Sequence, residues 1–168
     1  MKEKLLKLRT QILIFLVEKT KPIYVYLFKR DQKKWQQDTK SLKRFPQKSL
    51  GHTLGNFLEI NGFTLLPKLE THDVLHVLLD YKTTIEGEVE MQFFLLGNRK
   101  KSFYALFTAL VGFILVPENM NAFINEFRKG RNCVHISNWN FEHLLCEPLD
   151  SLKKQVLGQP LNNQKFII

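Results

Sequence analysis

The six prolines of this 168-residue chain, together with Gly62, Gly97, Gly130 and Gly158, fall between apolar stretches rather than inside them. With only 8 glycines in all, the chain lacks the breakers that a turn-rich β fold requires. Abundant Leu and Lys add helix propensity to the long uninterrupted segments. The expected fold class is therefore all-α: a compact single-domain helical bundle of about seven helices, with residues 1–168 as one domain. At this length a chain can bury a substantial core.

Local signals set the expected boundaries. Residues 3–19 read as a helix. Residues 22–36 are ambiguous: Ile23, Val25 and Leu27 alternate like a strand, whereas Tyr24, Leu27 and Phe28 suit a helix. Residues 37–48, polar and holding Pro46, read as a loop. Ser49 is a plausible N-cap for a helix that stops at Gly62. Thr71 can cap the next helix, and Thr83 with Glu86 resembles a capping box that opens another, ending at Gly97-Asn98. The stretch Phe103–Val116 is apolar except for Thr108, yet it is shorter than the ~20 residues that span a bilayer. It is expected to be a buried core helix or the wall of an apolar cavity. Pro117 suits the first turn of a helix reaching about Lys129. Ser137 or Asn138 can cap a short helix from Trp139 to Cys146, and Pro148 opens a last one that stops at Gly158.

The net charge of +9 comes largely from residues before position 50. It suits an anionic membrane surface or a solvated face. No nucleic-acid motif accompanies it, so no nucleic-acid partner is expected. Cys133 and Cys146 lack any ligand spacing, which fits a reducing, cytoplasmic setting. The N-terminal run Ile12–Val17 is too short for a signal-peptide core, and Glu18 and Lys19 end it. No targeting segment is therefore expected.

The informative segment is His72-Asp73-Val74-Leu75-His76, then eleven residues, then Glu88. At about 100° per residue, His76 lies roughly 40° and Asp73 about 100° from His72, while Val74, Leu75, Leu78 and Leu79 fill the arc from roughly 200° to 340°. Two imidazoles and a carboxylate thus share a face one turn apart, the spacing with which paired histidines reach one ion. On the following helix Glu88 lines up with Met91, Gln92 and Leu95, whereas Glu86 and Glu90 fall on the other side. A carboxylate on an apolar stripe is costly unless compensated. The break at Lys82–Thr84 lets the two helices fold back on each other. The candidate metal ligands are His72, Asp73, His76 and Glu88. Imidazole with carboxylate suits Zn, Fe, Mn or Co better than Ca. Four protein ligands would close the site, and weak binding by Asp73 or Glu88 would open it to substrate or hydroxide. His52, His135 and His143 lie outside any ligand spacing. Asp80 falls on the motif face, as a supporting residue or simply a solvated one. No catalytic nucleophile pattern and no phosphate-cradling glycine loop is present, so catalytic residues are not assigned and no organic cofactor is expected.

At these residues the sequence resembles the fourth coenzyme Q biosynthesis protein family, whose signature is HDxxH, eleven residues, then Glu. The flanks are similar too: Ser49-Leu50-Gly51, Phe57-Leu58 with Asn61-Gly62-Phe63, Glu86-Gly87-Glu88, and Trp139 with Leu144-Leu145 and Glu147-Pro148-Leu149. The likeness covers about residues 45–158. It implies an all-helical, often dimeric protein that binds a divalent metal through His72, Asp73, His76 and Glu88. Zinc is the ion it implies, with Mg, Mn, Fe or Co as alternatives. It further implies a prenylated quinone precursor or prenyl lipid as ligand, and other quinone-biosynthesis enzymes as partners at a membrane face. The associated reaction is oxidative removal of the ring C1 carboxyl from a polyprenyl-benzoate. Peripheral attachment to the inner face of the cytoplasmic membrane is the corresponding location. On this reading Phe103, Phe107, Leu110, Phe113 and Ile114 would wall a prenyl cavity, and simple core packing is the plainer account of that stripe. A non-catalytic, metal-stabilised scaffold for a biosynthetic complex is the alternative to an enzyme.

Overall fold

Helices begin and end in this computed structural model close to where caps and breakers place them. It describes residues 33–100 and 102–159, and before them Leu8, Arg9, Gln11, Ile12, Phe15, Lys19, Tyr26 and Lys29. The expected helix over 3–19 and the ambiguous segment 22–36 fall largely outside the described residues. Among the described residues, seven α-helices follow in order: α1 (Thr39–Leu42), α2 (Leu50–Ile60), α3 (Glu70–Leu79), α4 (Ile85–Gly97), α5 (Phe103–Leu115), α6 (Met120–Asn132) and α7 (Leu149–Val156). A 3-10 turn at Pro117–Asn119 joins α5 to α6. No strand occurs among the described residues, and the fold is an all-α bundle.

Ser49 caps α2 by accepting from the His52 backbone N–H at 3.2 Å, and α2 gives way to Asn61 and a left-handed Gly62. Some local expectations differ from the structure. The loop 37–48 contains the single turn α1, because Asp38 and Ser41 form a reciprocal capping box. Helix α3 starts at Glu70 rather than after Thr71, with no side-chain cap at its N-terminus. The short helix expected from Trp139 to Cys146 is a run of turns. Its amides bond three residues back, as in His143 to Asn140 and Leu144 to Phe141, and never settle into a regular helix.

The end of that irregular stretch serves the start of α2. Leu50 N–H donates to the Glu147 carbonyl at 2.9 Å, and Gly51 N–H to the Leu145 carbonyl at 2.8 Å. The first amides of a helix lack partners inside it, so these bonds satisfy donors that would otherwise be orphaned. They also tie the chain's two ends of this core together.

Helix α4 is central, packed against α3, α5 and α6. Met91, Phe94 and Leu95 are buried in the main core with Leu54 and Leu58 of α2, Val74, Leu75 and Leu78 of α3, and Leu152 and Val156 of α7. Val89 turns the other way into a smaller cluster with Val116 and Phe123. Burying a side chain the size of Phe94 contributes about 2–3 kcal/mol. Helices α4 and α6 touch backbone to backbone: a Cβ on Gly97 would collide with the Phe127 carbonyl, and one on Gly130 with the Phe94 carbonyl. Just beyond Gly97, buried Asn98 donates to the Gly130 and Val134 carbonyls (3.1 and 2.9 Å) and accepts from the Ile136 N–H (3.0 Å). That amide fixes the path of the chain after α6.

Helix α5 departs from its expected burial. Ala105, Thr108, Ala109 and Gly112 face inward, and Gly112 sits against Val89. Phe103, Leu106, Phe107, Leu110, Phe113 and Ile114 are exposed. The small residues form the packing face because they allow close approach to α4, which leaves the large ones outside. Phe103, Phe107, Leu110, Phe113 and Ile114 do not line the cavity that carries the candidate site. No single helix among the described residues is long and apolar enough to cross a membrane.

Candidate metal centre

Helix α3 presents His72 and His76 one turn apart, and α4 presents Glu88 in its first turn. The connection between them is short and tightly constrained. Asp80 ends α3 in the left-handed region (φ 58°), and Thr84 caps α4 by accepting from the Gly87 N–H. A Cβ at Gly87 would run into the Lys82 carbonyl, so glycine there lets the start of α4 press against the connection. This turn folds Glu88 back over the two histidines.

The three side chains converge. Glu88 Oε1 lies 3.3 Å from His72 Nε2 and 3.0 Å from His76 Nε2, and the two Nε2 atoms are 3.3 Å apart. One ligand atom from each residue falls within 4.8 Å of the others. The His72 and Glu88 side chains are about one-fifth exposed, and His76 is buried. The Phe57 ring stacks on the His76 ring at 5.9 Å between centroids.

Hydrogen bonding at His76 shows why this cluster suits a cation. Its Nδ1 lies 3.0 Å from the Tyr81 backbone carbonyl, which can only accept, so Nδ1 carries the proton. In a neutral ring the Nε2 lone pair then points at a carboxylate oxygen. That contact is favourable only with a proton or a metal ion between the two atoms. Burial opposes charge on His76, but Glu88, the Tyr81 carbonyl and Asp73 outweigh it and raise its pKa. Burial likewise opposes ionised Glu88, yet hydrogen bonds from His72 and His76 hold its carboxyl well below the usual carboxylate range. Glu88 Oε2 is buried with no hydrogen-bond partner. An orphaned buried carboxylate oxygen beside two imidazoles is a donor set that fits a divalent metal. His72, His76 and Glu88 therefore constitute a candidate divalent-metal site.

The fourth expected ligand, Asp73, is not brought into this triad. It is half-buried on the wall of the same cavity, and its charge acts on His76. Asp80 faces elsewhere and pairs with Lys153 of α7 at 2.6 Å. His52 interacts with Asn56 on its own helix. The triad is supported by residues that no sequence pattern singles out. Tyr81 holds His76 through its carbonyl and donates its hydroxyl to Glu126 of α6. The carbonyl role carries no side-chain signal, and the Glu126 pairing spans 45 residues of sequence.

The triad opens on a cavity of about 470 Å³, lined also by Phe57, Phe63, Leu66, Leu69, Leu75 and Leu95. That volume is in the range of small-molecule sites.

The family model described as "Coenzyme Q (ubiquinone) biosynthesis protein Coq4" matches residues 67–160, more than half of the chain and all of the segment that builds the triad. The chain belongs to the Coq4 family. Among solved structures, it is similar to a crystal structure of a candidate ubiquinone biosynthesis protein from Nostoc punctiforme PCC 73102. The TM-score is 0.56 and the identity 21%, over 88% of this chain and 80% of that one. At that identity the likeness speaks to the fold alone. No curated protein matches the chain. Within the Coq4 family, a His/His/Glu metal-binding cluster and an all-α fold are consistent with a role in quinone biosynthesis.

Protons and metal compete for this cluster, which gives a measurable pH dependence. His76, with a raised folded pKa, stabilises metal-free protein fully below its ordinary value of 6.5 and loses that contribution as pH rises through the folded value. Glu88, with a lowered pKa, contributes above its ordinary 4.5 and loses it as pH falls. The cluster therefore helps EDTA-treated protein most between 4.5 and 6.5. Melting temperatures measured from pH 5.5 to 8.5 should show this contribution fading toward the alkaline end. Added Zn²⁺ should restore stability most strongly there, because at high pH no proton on His76 Nε2 competes with the metal.

Proposed function

We propose that this protein binds a divalent metal, zinc in the first instance, and a prenylated aromatic or prenyl lipid, and that it acts in oxidative removal of the ring C1 carboxyl from a polyprenyl-benzoate. The observation that carries this reading is the triad's position on the wall of a cavity that combines apolar side chains with polar ones. His72, His76 and Glu88 would hold the metal, with Asp73 nearby as an additional or water-mediated contact. When bound, the metal supplies Lewis-acid stabilisation to an oxygen of the ring substituents. The protein's own part is to orient the ring. Phe57, stacked on His76, and Phe63 offer flat apolar surface beside the polar pole. The Tyr81 carbonyl holds His76 in the tautomer whose Nε2 faces the site. Leu66 and Leu69 offer apolar surface to the start of a prenyl chain.

A second reading is a non-catalytic scaffold in which the metal only stabilises the bundle. The exposed apolar face of α5 favours it, since Phe103, Leu106, Leu110, Phe113 and Ile114 would suit contact with other quinone-biosynthesis enzymes, a second copy of the chain or a membrane surface. On either reading the protein works in the cytoplasm at the inner face of the membrane, as a homodimer.

His76→Ala separates the two. Because His76 is buried against Phe57 and bonded to the Tyr81 carbonyl, circular dichroism must first show that the variant is folded. Expressed in a host lacking its own family member, it should lose most quinone production and accumulate the carboxylated precursor, read by mass spectrometry of extracted lipids. Full quinone synthesis by a folded, metal-free variant would leave the scaffold as the function.

A further inference from the structure

The connection between α3 and α4 is tied to two other helices, and one of those ties continues to the triad. Asp80 pairs with Lys153 of α7 at the surface. Tyr81, the next residue, is buried and makes polar contacts with both of its ends. Its backbone carbonyl meets His76 Nδ1 at 3.0 Å, and its hydroxyl donates to the Glu126 carboxylate of α6.

Packing alone does not account for the polar end of this side chain. The Tyr81 ring lies against Phe94 with centroids 6.1 Å apart, and the Lys129 ammonium stands 5.4 Å from its centre. A phenylalanine would keep both contacts. A buried hydroxyl carries a desolvation cost that only a good acceptor offsets, and an ionised acceptor gives the stronger kind of hydrogen bond. Glu126 is held in turn by Lys129 at 3.2 Å, with its side chain about one-fifth exposed. It also lies close enough to Glu90 of α4 for the two negative charges to oppose each other. The carboxylate is thus disfavoured by one neighbour and kept by two, and one of those two carries the carbonyl that sets the His76 tautomer.

That carbonyl has no helix to fix it. Helix α3 ends at Leu79 and α4 starts at Ile85, so Tyr81 belongs to neither ladder. A histidine offers an ion the lone pair of one nitrogen when the proton on the other has a fixed acceptor. The Tyr81 carbonyl is that acceptor, and the hydroxyl of the same residue is anchored to α6.

We propose that Glu126 is a positioning residue for the metal centre: by holding the Tyr81 hydroxyl it fixes the Tyr81 carbonyl against His76 Nδ1 and keeps the Nε2 lone pair turned to the ion. The effect on metal binding rests on the reading of His72, His76 and Glu88 as ligands. The hold on the His76 tautomer does not require the metal.

Two measurements on full-length protein test this. The first is Zn²⁺ affinity by competition with a chromogenic chelator. The second is the His76 tautomer, read from imidazole nitrogen chemical shifts of EDTA-treated protein at a pH where the ring is neutral. Tyr81→Phe and Glu126→Leu should each weaken Zn²⁺ binding about tenfold, the low end of what loss of a ligand's outer partner costs. Each should also turn the single Nδ1–H tautomer of wild type into a mixture. Glu126→Gln, whose amide oxygen still accepts from the hydroxyl, should match wild type in both measurements. Combining Tyr81→Phe with Glu126→Leu should cost no more affinity than either change alone, because both break one link. Leu42→Ala, which removes core packing on α1, should lower the melting temperature and leave affinity and tautomer unchanged. Tyr81→Phe keeps the packed ring, so the test does not depend on Glu126→Leu folding. Wild-type Zn²⁺ affinity or an unchanged tautomer in Tyr81→Phe overturns the proposal. Equal losses in Glu126→Gln and Glu126→Leu overturn it too, since charge rather than the hydrogen bond would then be acting. If wild type takes up no Zn²⁺, the metal reading falls, and the tautomer alone decides the role of Glu126.

Discussion

Glu88→Gln should purify with little or no metal under conditions where wild-type protein carries about one divalent ion per chain, and its metal affinity should fall by more than about a hundredfold. Loss of a residue that merely supports a ligand costs about ten- to a hundredfold, and Glu88 is itself in the triad. The exchange keeps the side chain's shape and removes its charge. Two imidazoles facing a neutral amide have no anionic donor for a dication. The metal-free proteins should differ less in stability. An ionised, partly orphaned carboxylate is costly to bury, and its removal offsets the loss of its contacts with His72 and His76. Metal analysis of protein purified without added zinc gives the first readout. The second is the melting temperature with and without EDTA: wild type should fall on chelation, and the variant should not move, because a metal stabilises only the state that binds it. Equal metal content in the two proteins would remove the triad from consideration as the site.

Gly97→Ala should destabilise the fold by about 3 kcal/mol, at the upper end of what overpacking usually costs. The added methyl has nowhere to go. Its neighbour would be the Phe127 carbonyl, a backbone group inside α6 that cannot rotate aside. Separating the helices enough to admit it would also disturb Gly130 against Phe94, the second point of the same crossing. Alanine is the better helix former, so intrinsic propensity alone would make the change stabilising by about 1 kcal/mol. Urea denaturation followed by circular dichroism decides between the two signs. An unchanged or raised midpoint would show that α4 and α6 do not approach as described. The site should suffer with the fold, since α4 carries Glu88 at one end and Gly97 at the other.

Much of this architecture is legible in the residues because it is local. Ser49, Gly62, Pro117 and Pro148 mark helix ends through capping and φ preferences that act within a turn. The spacing of His72 and His76, and of Glu88 with Met91, Gln92 and Leu95, follows from helical periodicity. Near misses have local causes as well. Thr84, not Thr83, caps α4: its hydroxyl accepts from the Gly87 N–H, and the residue three positions on is Gly87 rather than a glutamate, so the capping box expected from Thr83 and Glu86 does not form. The turns at 139–146 carry helix-like residues, but their amides and carbonyls are committed to three-residue turns and to the start of α2.

The sequence by itself determined that the chain is helical, where most helices begin and end, and that two histidines and a glutamate stand on faces able to meet. Each of these depends on interactions reaching no more than about four residues along the chain. Only the tertiary structure decided that Glu88 closes on both rings while Asp73 stands outside the triad. It also decided that the Tyr81 carbonyl orients His76 while its hydroxyl reaches Glu126, and that the large side chains of α5 point outward. Those outcomes depend on how closely α4 can approach α3, α5 and α6, and that distance is set by small residues such as Gly87, Gly97 and Gly112, whose partners lie on other helices or across a turn.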